Sequence, residues 1–234
     1  PYFPGLASWL EKKGFTVWTI PILYNISKSY EDIWSILYSN SKKFINPNYF
    51  LNPLDILFSI VIAFKQAFIP KGTIHLDSMN VSKLFHEDRR RFIFDIDSLY
   101  WIMMYRLPLR LRQYSFKVDL FIQEYENMIP EKSTILGLKQ YMSRTKIVGY
   151  QNGFLFPNIL SQYIPPQKSL KDPLPNRVVF GWKINHDILL KEGCPVENMV
   201  VGPALRYNWL SNKNKQMANK DYRNIILIPL SLDQ

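Results

Sequence analysis

The sequence predicts an α/β fold in which a parallel β-sheet is covered by helices on both faces. From residue 117 onward, short apolar runs alternate with helical stretches, and the runs end in glycine or polar residues. Such alternation is typical of parallel strands joined by crossover helices. The predicted strands are 117–126, 146–150, 177–182 and 198–201, and the predicted helices between them are 131–143 and 184–191.

The start of the chain predicts an earlier unit of the same kind. Residues from Pro4 to Lys13 are predicted to form a short helix, and Gly14 lies where a helix end favours a positive φ. A strand over 15–22 follows directly. The order helix, glycine, strand is typical of the second half of a β-α-β unit.

Three more helices are predicted before the sheet. Ser29, followed by acidic residues, predicts an N-cap and a helix over 29–44. The apolar residues 54–68 predict a helix too short to span a bilayer, and we favour a buried helix over one that leans on a membrane. Apolar residues at helical spacing predict one long, largely buried helix over 85–112, broken near Pro108.

Composition narrows the class of protein. With 47% hydrophobic and 15% aromatic residues, the 234-residue chain is expected to bury a substantial core. The formal charge of +10 is dispersed, without the glycine-interleaved Lys/Arg tract of RNA-binding segments, and it suits anionic substrates or an anionic membrane surface as well as nucleic acid. The single cysteine, Cys194, excludes an internal disulfide and a cysteine-based zinc site, and it favours a reducing compartment.

Polar residues and glycines at the predicted strand ends indicate a binding crevice, because the carboxyl ends of parallel strands meet at one edge of a sheet. Glu124 and Glu126 are two apart in an extended run and would share a face, so either is a candidate general base. Two solvent-facing acids remain an equal alternative. The candidate substrate-binding residues are Tyr150, Gln151, Asn152, Gly153, Gly202 and Arg206. For Asn152-Gly153 an ordinary turn stays open, and for Arg206 a solvated arginine is favoured.

A metal site is not predicted. Asp95-Ile-Asp97 follows an apolar run, and two acids at this spacing can hold Mg²⁺ or Mn²⁺. The surrounding run continues apolar without a turn, however, which favours a helix with two polar positions. The three histidines, His75, His86 and His186, are too scattered to indicate a metal site.

Several stretches combine an apolar strand with glycine before it, or with glycine or an acid after it. They are GFTVWTIPIL (14–23), DLFIQEYEN (119–127), KIVGYQNGF (146–154), NRVVFGWKINHDILLKEGCPVENMVVGPALRY (176–207) and RNIILIPLSLD (223–233). These stretches resemble bacterial glycosyltransferases of capsule and lipopolysaccharide synthesis, which have two Rossmann-like domains (the GT-B type). Asn152 stands where a histidine is common in that family, which puts the role of that position in doubt here.

The resemblance implies a domain organisation. Residues 1–212 would form a Rossmann-like acceptor-binding domain, 213–222 a linker, and 223–234 the start of a nucleotide-sugar-binding domain that is mostly absent. It also implies a metal-independent enzyme without a separate cofactor, in which Glu126 or Glu124 deprotonates an acceptor hydroxyl. The implied partners are a nucleotide-sugar and a growing surface glycan or lipid-linked glycan, at the cytoplasmic face of an anionic inner membrane.

Two other functions remain open. A non-catalytic Rossmann-like binding module in a polysaccharide assembly complex fits the missing histidine. A sugar-nucleotide epimerase of the same two-domain fold would use the same cleft. A nucleic-acid binder is not expected.

Overall fold

The structure is a computed structural model, and it describes residues 3, 5–21, 29–39, 43–68, 72–73, 75–76, 79–91, 95–151, 153, 155, 173–193, 198–203 and 205. In chain order the elements are α1 (Leu6–Lys12), β1 (Trp18–Thr19), α2 (Tyr30–Tyr38), β2 (Lys43–Phe44), a 3-10 turn (Pro47–Tyr49), α3 (Pro53–Phe68), β3 (His75–Leu76), β4 (Met79–Asn80), α4 (Ser82–Arg91), α5 (Ile96–Met104), α6 (Leu107–Gln113), β5 (Leu120–Glu124), α7 (Ile129–Tyr141), β6 (Lys146–Gln151), β7 (Arg177–Phe180), α8 (Lys183–Lys191) and β8 (Met199–Val201).

The central feature is a parallel sheet in the order β5-β6-β7-β8. In its register Glu124 lies opposite Tyr150, and Tyr150 lies opposite Val179, so the carboxyl ends of these strands form one edge. The predicted α/β class and parallel sheet are confirmed. With helices flanking the sheet, the architecture is compatible with a Rossmann-like fold.

The core of this sheet joins the strands to both crossover helices. Ile135 and Leu138 of α7 and Leu189 of α8 are buried in one cluster with the inward residues of the strands. The strand members of the cluster are Ile147, Val178, Phe180 and Met199.

At the start of the chain, the predicted helices and strands are shorter than expected. Gly14 ends the first helix with φ of +89°, as predicted. Strand β1 covers only Trp18–Thr19 of the strand predicted over 15–22, and it pairs in parallel with β2. Ser29 caps α2 by accepting the backbone N–H of Asp32 at 3.1 Å, but α2 ends at Tyr38, and Lys43–Phe44 is a strand.

The prediction of a single long helix over 85–112 is wrong. The region holds three helices, α4, α5 and α6. The carboxylate of Asp95 accepts hydrogen bonds from the N–H and hydroxyl of Ser98, so it caps α5 at the point where the predicted helix would continue. Pro108 lies in the first turn of α6, where its missing N–H costs nothing. The helical interpretation of Asp95-Ile-Asp97 is therefore correct.

The prediction that residues 54–68 are a buried helix is wrong. α3 forms as predicted, but the side chains along its inner face are Asp55, Ser59 and Ala63, at 0%, 1% and 0% exposure. These residues recur every four positions and pack toward α5. Most of the large apolar side chains of the helix are consequently exposed, whereas Phe58 and Ile62 are half-buried. Among the described residues, no helix is both long and apolar enough to cross a membrane.

A buried charge cluster fixes α3 in this orientation. Arg110 of α6 makes a two-pronged ion pair with Asp55, with both nitrogen–oxygen distances 2.8 Å, and Arg106 donates to the same carboxylate at 3.2 Å. The Asn52 side chain accepts from Arg110 at 3.0 Å and caps α3. Arg106 also stacks over Phe58 at 4.8 Å. Both guanidinium groups are thereby tied to the start of one helix.

This cluster predicts a specific loss of stability. Burial acts to raise the pKa of Asp55, but hydrogen bonds from Arg110, the Asn52 amide and Arg106 outweigh it and hold that pKa below 3.8. Replacing Asp55 by Asn leaves two arginines without their counter-charge and should lower the free energy of unfolding by about 3–5 kcal/mol. Because the folded-state pKa is depressed, the stabilisation is complete above about pH 4 and is lost as pH falls further.

Urea unfolding of the D55N variant at neutral pH measures this loss. The matched control is Glu87→Gln, which removes the acidic partner of Arg91 in an exposed ion pair of α4. Exposed i,i+4 pairs contribute at most about 0.5 kcal/mol. Equal effects of the two substitutions would show that the buried cluster does not hold α3.

Candidate binding and catalytic site

Glu126 lies at the carboxyl edge of the sheet, in the wall of a narrow crevice. The crevice leaves essentially no space that a water molecule could occupy. Small-molecule pockets usually enclose about 300–1,000 Å³, so these residues do not form a complete pocket. The lining residues are Tyr125, Glu126, Asn127, Gln151, Val178, Phe180 and Leu189.

Glu126 faces the backbone that leaves β6. A methyl group built on Gly153 would lie 2.2 Å from the Oε1 atom of Glu126, so only glycine lets the carboxylate approach this segment. The backbone N–H of Glu126 itself is held by Glu131. Glu126, at the end of one predicted strand, therefore lies next to Gly153, which follows the end of the next predicted strand.

Gly149 sets the position of the segment that carries Glu126. A methyl group on Gly149 would lie 2.6 Å from Cβ of Tyr125, the residue just before Glu126. Tyr125 is 2% exposed, its hydroxyl donates to Asn127 Oδ1 at 3.0 Å, and its backbone N–H donates to the Tyr150 carbonyl. The absence of a side chain at Gly149 thus allows a large aromatic ring to pack directly on the neighbouring strand.

Glu131, in the first turn of α7, organises the loop that follows Glu126. One carboxylate oxygen of Glu131 accepts the backbone N–H groups of Glu126 and Met128, each at 2.9 Å. Between these two residues Asn127 adopts φ of +61°, in the left-handed region that asparagine tolerates. The loop is therefore folded around a single carboxylate.

The environment of Glu131 favours its protonated form. Burial, helped by the nearby charge of Glu126, raises the pKa of Glu131 to about 7, although the two backbone hydrogen bonds and Lys132 act in the opposite direction. A carboxyl group with a pKa near neutrality beside a cleft is typical of functional sites. Protonation of Glu131 would also affect the loop, because a protonated carboxyl group accepts the two backbone N–H groups less strongly.

Asn185, from the first turn of α8, holds the other side of the crevice. It is fully buried, and its side-chain amide donates to the Gly153 carbonyl at 2.7 Å and to the Gln151 side chain at 3.4 Å. Its side-chain oxygen accepts the backbone N–H of Leu155 at 3.3 Å. α8 therefore fixes the segment that faces Glu126.

The predicted site residues do not all come together. Glu126, Gln151 and Gly153 meet at the crevice, whereas Glu124 ends β5 and does not line it. Tyr150 and Gly202 lie near each other at a second place, where a methyl group on Gly202 would be 3.9 Å from the Tyr150 hydroxyl. The predictions for Asn152 and Arg206, and the remarks on Cys194, lie outside the described residues.

Sequence reasoning missed Tyr125, Asn127, Glu131 and Asn185. For Glu131 a signal exists, since a glutamate three residues after the start of a helix is half of a capping box. For Asn185 none exists, because its three partners are about thirty residues away in the sequence.

Within the described residues, no group of three or more His, Cys, Asp or Glu side chains could hold a metal ion. His186 lies edge-on to Phe180 at 5.9 Å and contacts Asp187, its neighbour in the chain. No protein-family model, curated protein or solved structure matches the chain.

Alanine substitution at two glycines of this site should change stability by very different amounts. Gly149→Ala would force a methyl group against Cβ and Cγ of Tyr125, which cannot move without shifting the strand, and should lower stability by about 1–3 kcal/mol. Gly153→Ala meets only the mobile end of Glu126 and should change stability by less than about 0.5 kcal/mol. Urea unfolding of both variants tests this contrast. Equal losses would mean that Tyr125 does not depend on the bare backbone of Gly149.

Glu131 predicts a pH dependence of stability. Its folded-state pKa, about 7, is above the ordinary 4.5, so the folded state binds more protons between these values. Stability from this group is therefore greatest below about pH 4.5 and declines toward pH 7, with a slope of at most about 1.4 kcal/mol per pH unit. Unfolding of wild type and Glu131→Gln at several pH values measures the difference. The Glu87→Gln control should keep the wild-type slope, and an unchanged slope in the Glu131 variant would contradict the assignment.

Proposed function

We propose that the chain is the acceptor-binding part of a glycosyltransferase that transfers a sugar from a nucleotide-sugar to a surface glycan or a lipid-linked glycan. One observation carries the proposal: the Glu126 carboxylate lies at the carboxyl edge of a parallel sheet, against the bare backbone of Gly153. Ligands bind at this edge in open α/β sheets. A half-buried carboxylate at this edge is suited to accept a proton.

The proposed reaction uses Glu126 as general base. Its carboxylate takes the proton of an acceptor hydroxyl while the hydroxyl oxygen forms a bond to the anomeric carbon of the donor. The bond between that carbon and the nucleotide phosphate breaks, and the phosphate leaves with the electron pair. Helix N-termini and basic side chains would stabilise the leaving group.

The loop contacts explain how Glu126 would be positioned. Glu131 holds its backbone N–H, and Asn185 holds the Gly153 carbonyl on the opposite wall. Neither side chain needs to touch a substrate for its loss to displace the base. Displacement of the base by about 1 Å can lower the rate of the reaction by as much as about 100-fold.

A non-catalytic binding module is the second candidate. The narrowness of the crevice supports it, because the crevice on this chain has essentially no space for a water molecule and so does not accommodate a sugar. A two-domain enzyme would complete its cleft with a second domain, and the residues proposed to begin one, 223–234, lie outside the described residues. In the transferase proposal the protein works at the cytoplasmic face of the inner membrane.

Thermal unfolding with nucleotides separates the two candidates. The full-length protein is melted with CMP, UDP, GDP and their sugar conjugates, and a ligand at 100 times its Kd should stabilise it by about 2.7 kcal/mol. Stabilisation by one nucleotide class supports the transferase or the related epimerase, and conversion of the donor without an acceptor identifies the epimerase. If no nucleotide stabilises the full-length protein, the binding module is favoured.

Once the nucleotide-sugar donor is identified, the Glu126→Gln variant can be assayed with it. This variant should retain nucleotide binding and lose at least about 100-fold in kcat. Gly153→Ala should lower kcat in the same direction, since its methyl group displaces the Glu126 carboxylate. Gly72→Ala is the matched control, because nothing lies within 4 Å of the added methyl group. Full activity of Glu126→Gln would exclude Glu126 as the base.

A further inference from the structure

The outer face of α3 is an exposed apolar surface. Its side chains recur at intervals of three and four residues and form a continuous stripe along the helix. Their exposure runs from 37% at Ile60 to 75% at Phe68. The members of this face, called the α3 face below, are Leu54, Ile56, Leu57, Ile60, Val61, Phe64 and Phe68.

This arrangement reverses the usual amphipathic pattern. Helices of soluble proteins usually bury apolar residues and expose polar ones, whereas α3 buries Asp55 and Ser59 and exposes most of its large apolar side chains. The buried charge of Asp55, held by Arg106 and Arg110, prevents the helix from rotating to hide the apolar side. Contiguous exposed apolar patches of this kind mark interaction sites.

Charge identifies the kind of surface that the α3 face fits. Asp55 and Lys65 are the only charged residues of α3, and Asp55 is buried, so the exposed charge of the helix is positive. The neighbouring helix α4 packs against α3 and adds the exposed side chains of Lys83 and Arg90, while its exposed Arg91 is paired with Glu87. An apolar helix face with basic residues beside it is typical of helices that lie in the headgroup region of anionic membranes.

The size of the α3 face argues against a second copy of the chain as its occupant. A helix of 16 residues is about 24 Å long and about 10 Å wide, which gives a footprint near 240 Å². A stable protein–protein interface buries about 800 Å² on each partner. A membrane surface needs no comparable area, because shallow insertion of a few apolar side chains acts together with charge.

The end of the helix supplies an aromatic pair for insertion. Phe64 and Phe68 stack with their ring centroids 6.3 Å apart and an interplanar angle of 15°, and both rings are exposed. Phenylalanine on the apolar face and lysine near it are characteristic of interfacial helices.

We propose that α3 docks the protein on anionic lipid bilayers, with the α3 face inserted among the acyl chains and the basic residues of α3 and α4 on the headgroups. The proposal does not depend on transferase activity, because it rests on the α3 face and its charge alone.

Vesicle flotation of the full-length protein tests the docking. Wild type should bind vesicles that contain phosphatidylglycerol and bind pure phosphatidylcholine more weakly, with about a fivefold change for each basic side chain that reaches the surface. Binding to the anionic vesicles should fall as salt is added. No binding to either vesicle, or equal binding to both, would overturn the proposal.

Matched variants locate the contact. The triple variant Leu57→Gln, Val61→Gln, Phe64→Gln changes side chains that are 57%, 53% and 46% exposed, and it should bind anionic vesicles at least about tenfold more weakly. The control triple variant Ile129→Gln, Ile184→Gln, Leu190→Gln changes exposed apolar side chains of α7 and α8 and should bind as wild type does. Retained binding of the α3 variant would overturn the proposal.

Two further measurements test whether loss of folding or self-association explains the vesicle results. Phe68→Ser removes the most exposed ring of the face with little risk to folding, and it should weaken vesicle binding in part, while circular dichroism remains that of wild type. Analytical ultracentrifugation compares wild type with the α3 triple variant. A wild-type dimer that becomes a monomer in the variant, without vesicle binding by either protein, would assign the α3 face to a second copy and overturn the proposal.

These results can be separated from those of the nucleotide experiments. Vesicle binding is measured without nucleotide or acceptor, so docking can succeed where the proposed transfer reaction fails. Conversely, nucleotide stabilisation without vesicle binding would support the enzyme proposal and contradict the proposal that the α3 face docks on membranes.

Discussion

The buried pairing of Asp55 with two arginines is the constraint on which the helical half of the structure depends. A carboxylate with 0% exposure is stable only where its charge is matched and its oxygens are hydrogen-bonded. Arg106 and Arg110 meet that requirement from the junction of α5 and α6, and Asn52 completes it from the start of α3. The cluster therefore determines which side of α3 faces the protein.

The same junction connects the helices to the sheet. α5 and α6 both pack against α7, and Arg106 donates to the Tyr141 hydroxyl near the end of α7 at 3.0 Å. Gly137 of α7 faces the backbone of Tyr105, where an added methyl group would lie 2.2 Å from the carbonyl oxygen. The position of α7 is thus set by the arginine junction on one side and by the sheet core on the other.

α7 in turn carries Glu131 at its first turn, and Glu131 shapes the loop that holds Glu126. The site is consequently supported by contacts that begin far from it in the sequence. Helix α8 performs the corresponding task through Asn185, so each wall of the crevice is fixed by the first turn of a crossover helix. Because first-turn residues are close to the carboxyl edge of a parallel sheet, this arrangement places polar support beside any ligand bound there.

The parallel sheet and most of its helices could be predicted from the sequence. The signals were local: apolar runs ending at Gly149 and Gly202, and capping residues such as Ser29. The sequence also pointed to Glu126 and Gly153 as neighbours, since parallel strands end at one edge. Only the tertiary structure decided that Glu126 rather than Glu124 lines the crevice, because a loop folded around Glu131 ends the alternation of the strand.

Tertiary structure also decided the orientation of α3. Its residues are apolar nearly all round, a pattern that predicts burial, and the one acid interrupts it without indicating a direction. The direction came from two arginines more than fifty residues away, whose charges could be matched only if the acid turned inward. Local pattern specifies that a helix forms; the requirement to neutralise a buried charge specifies which face it buries.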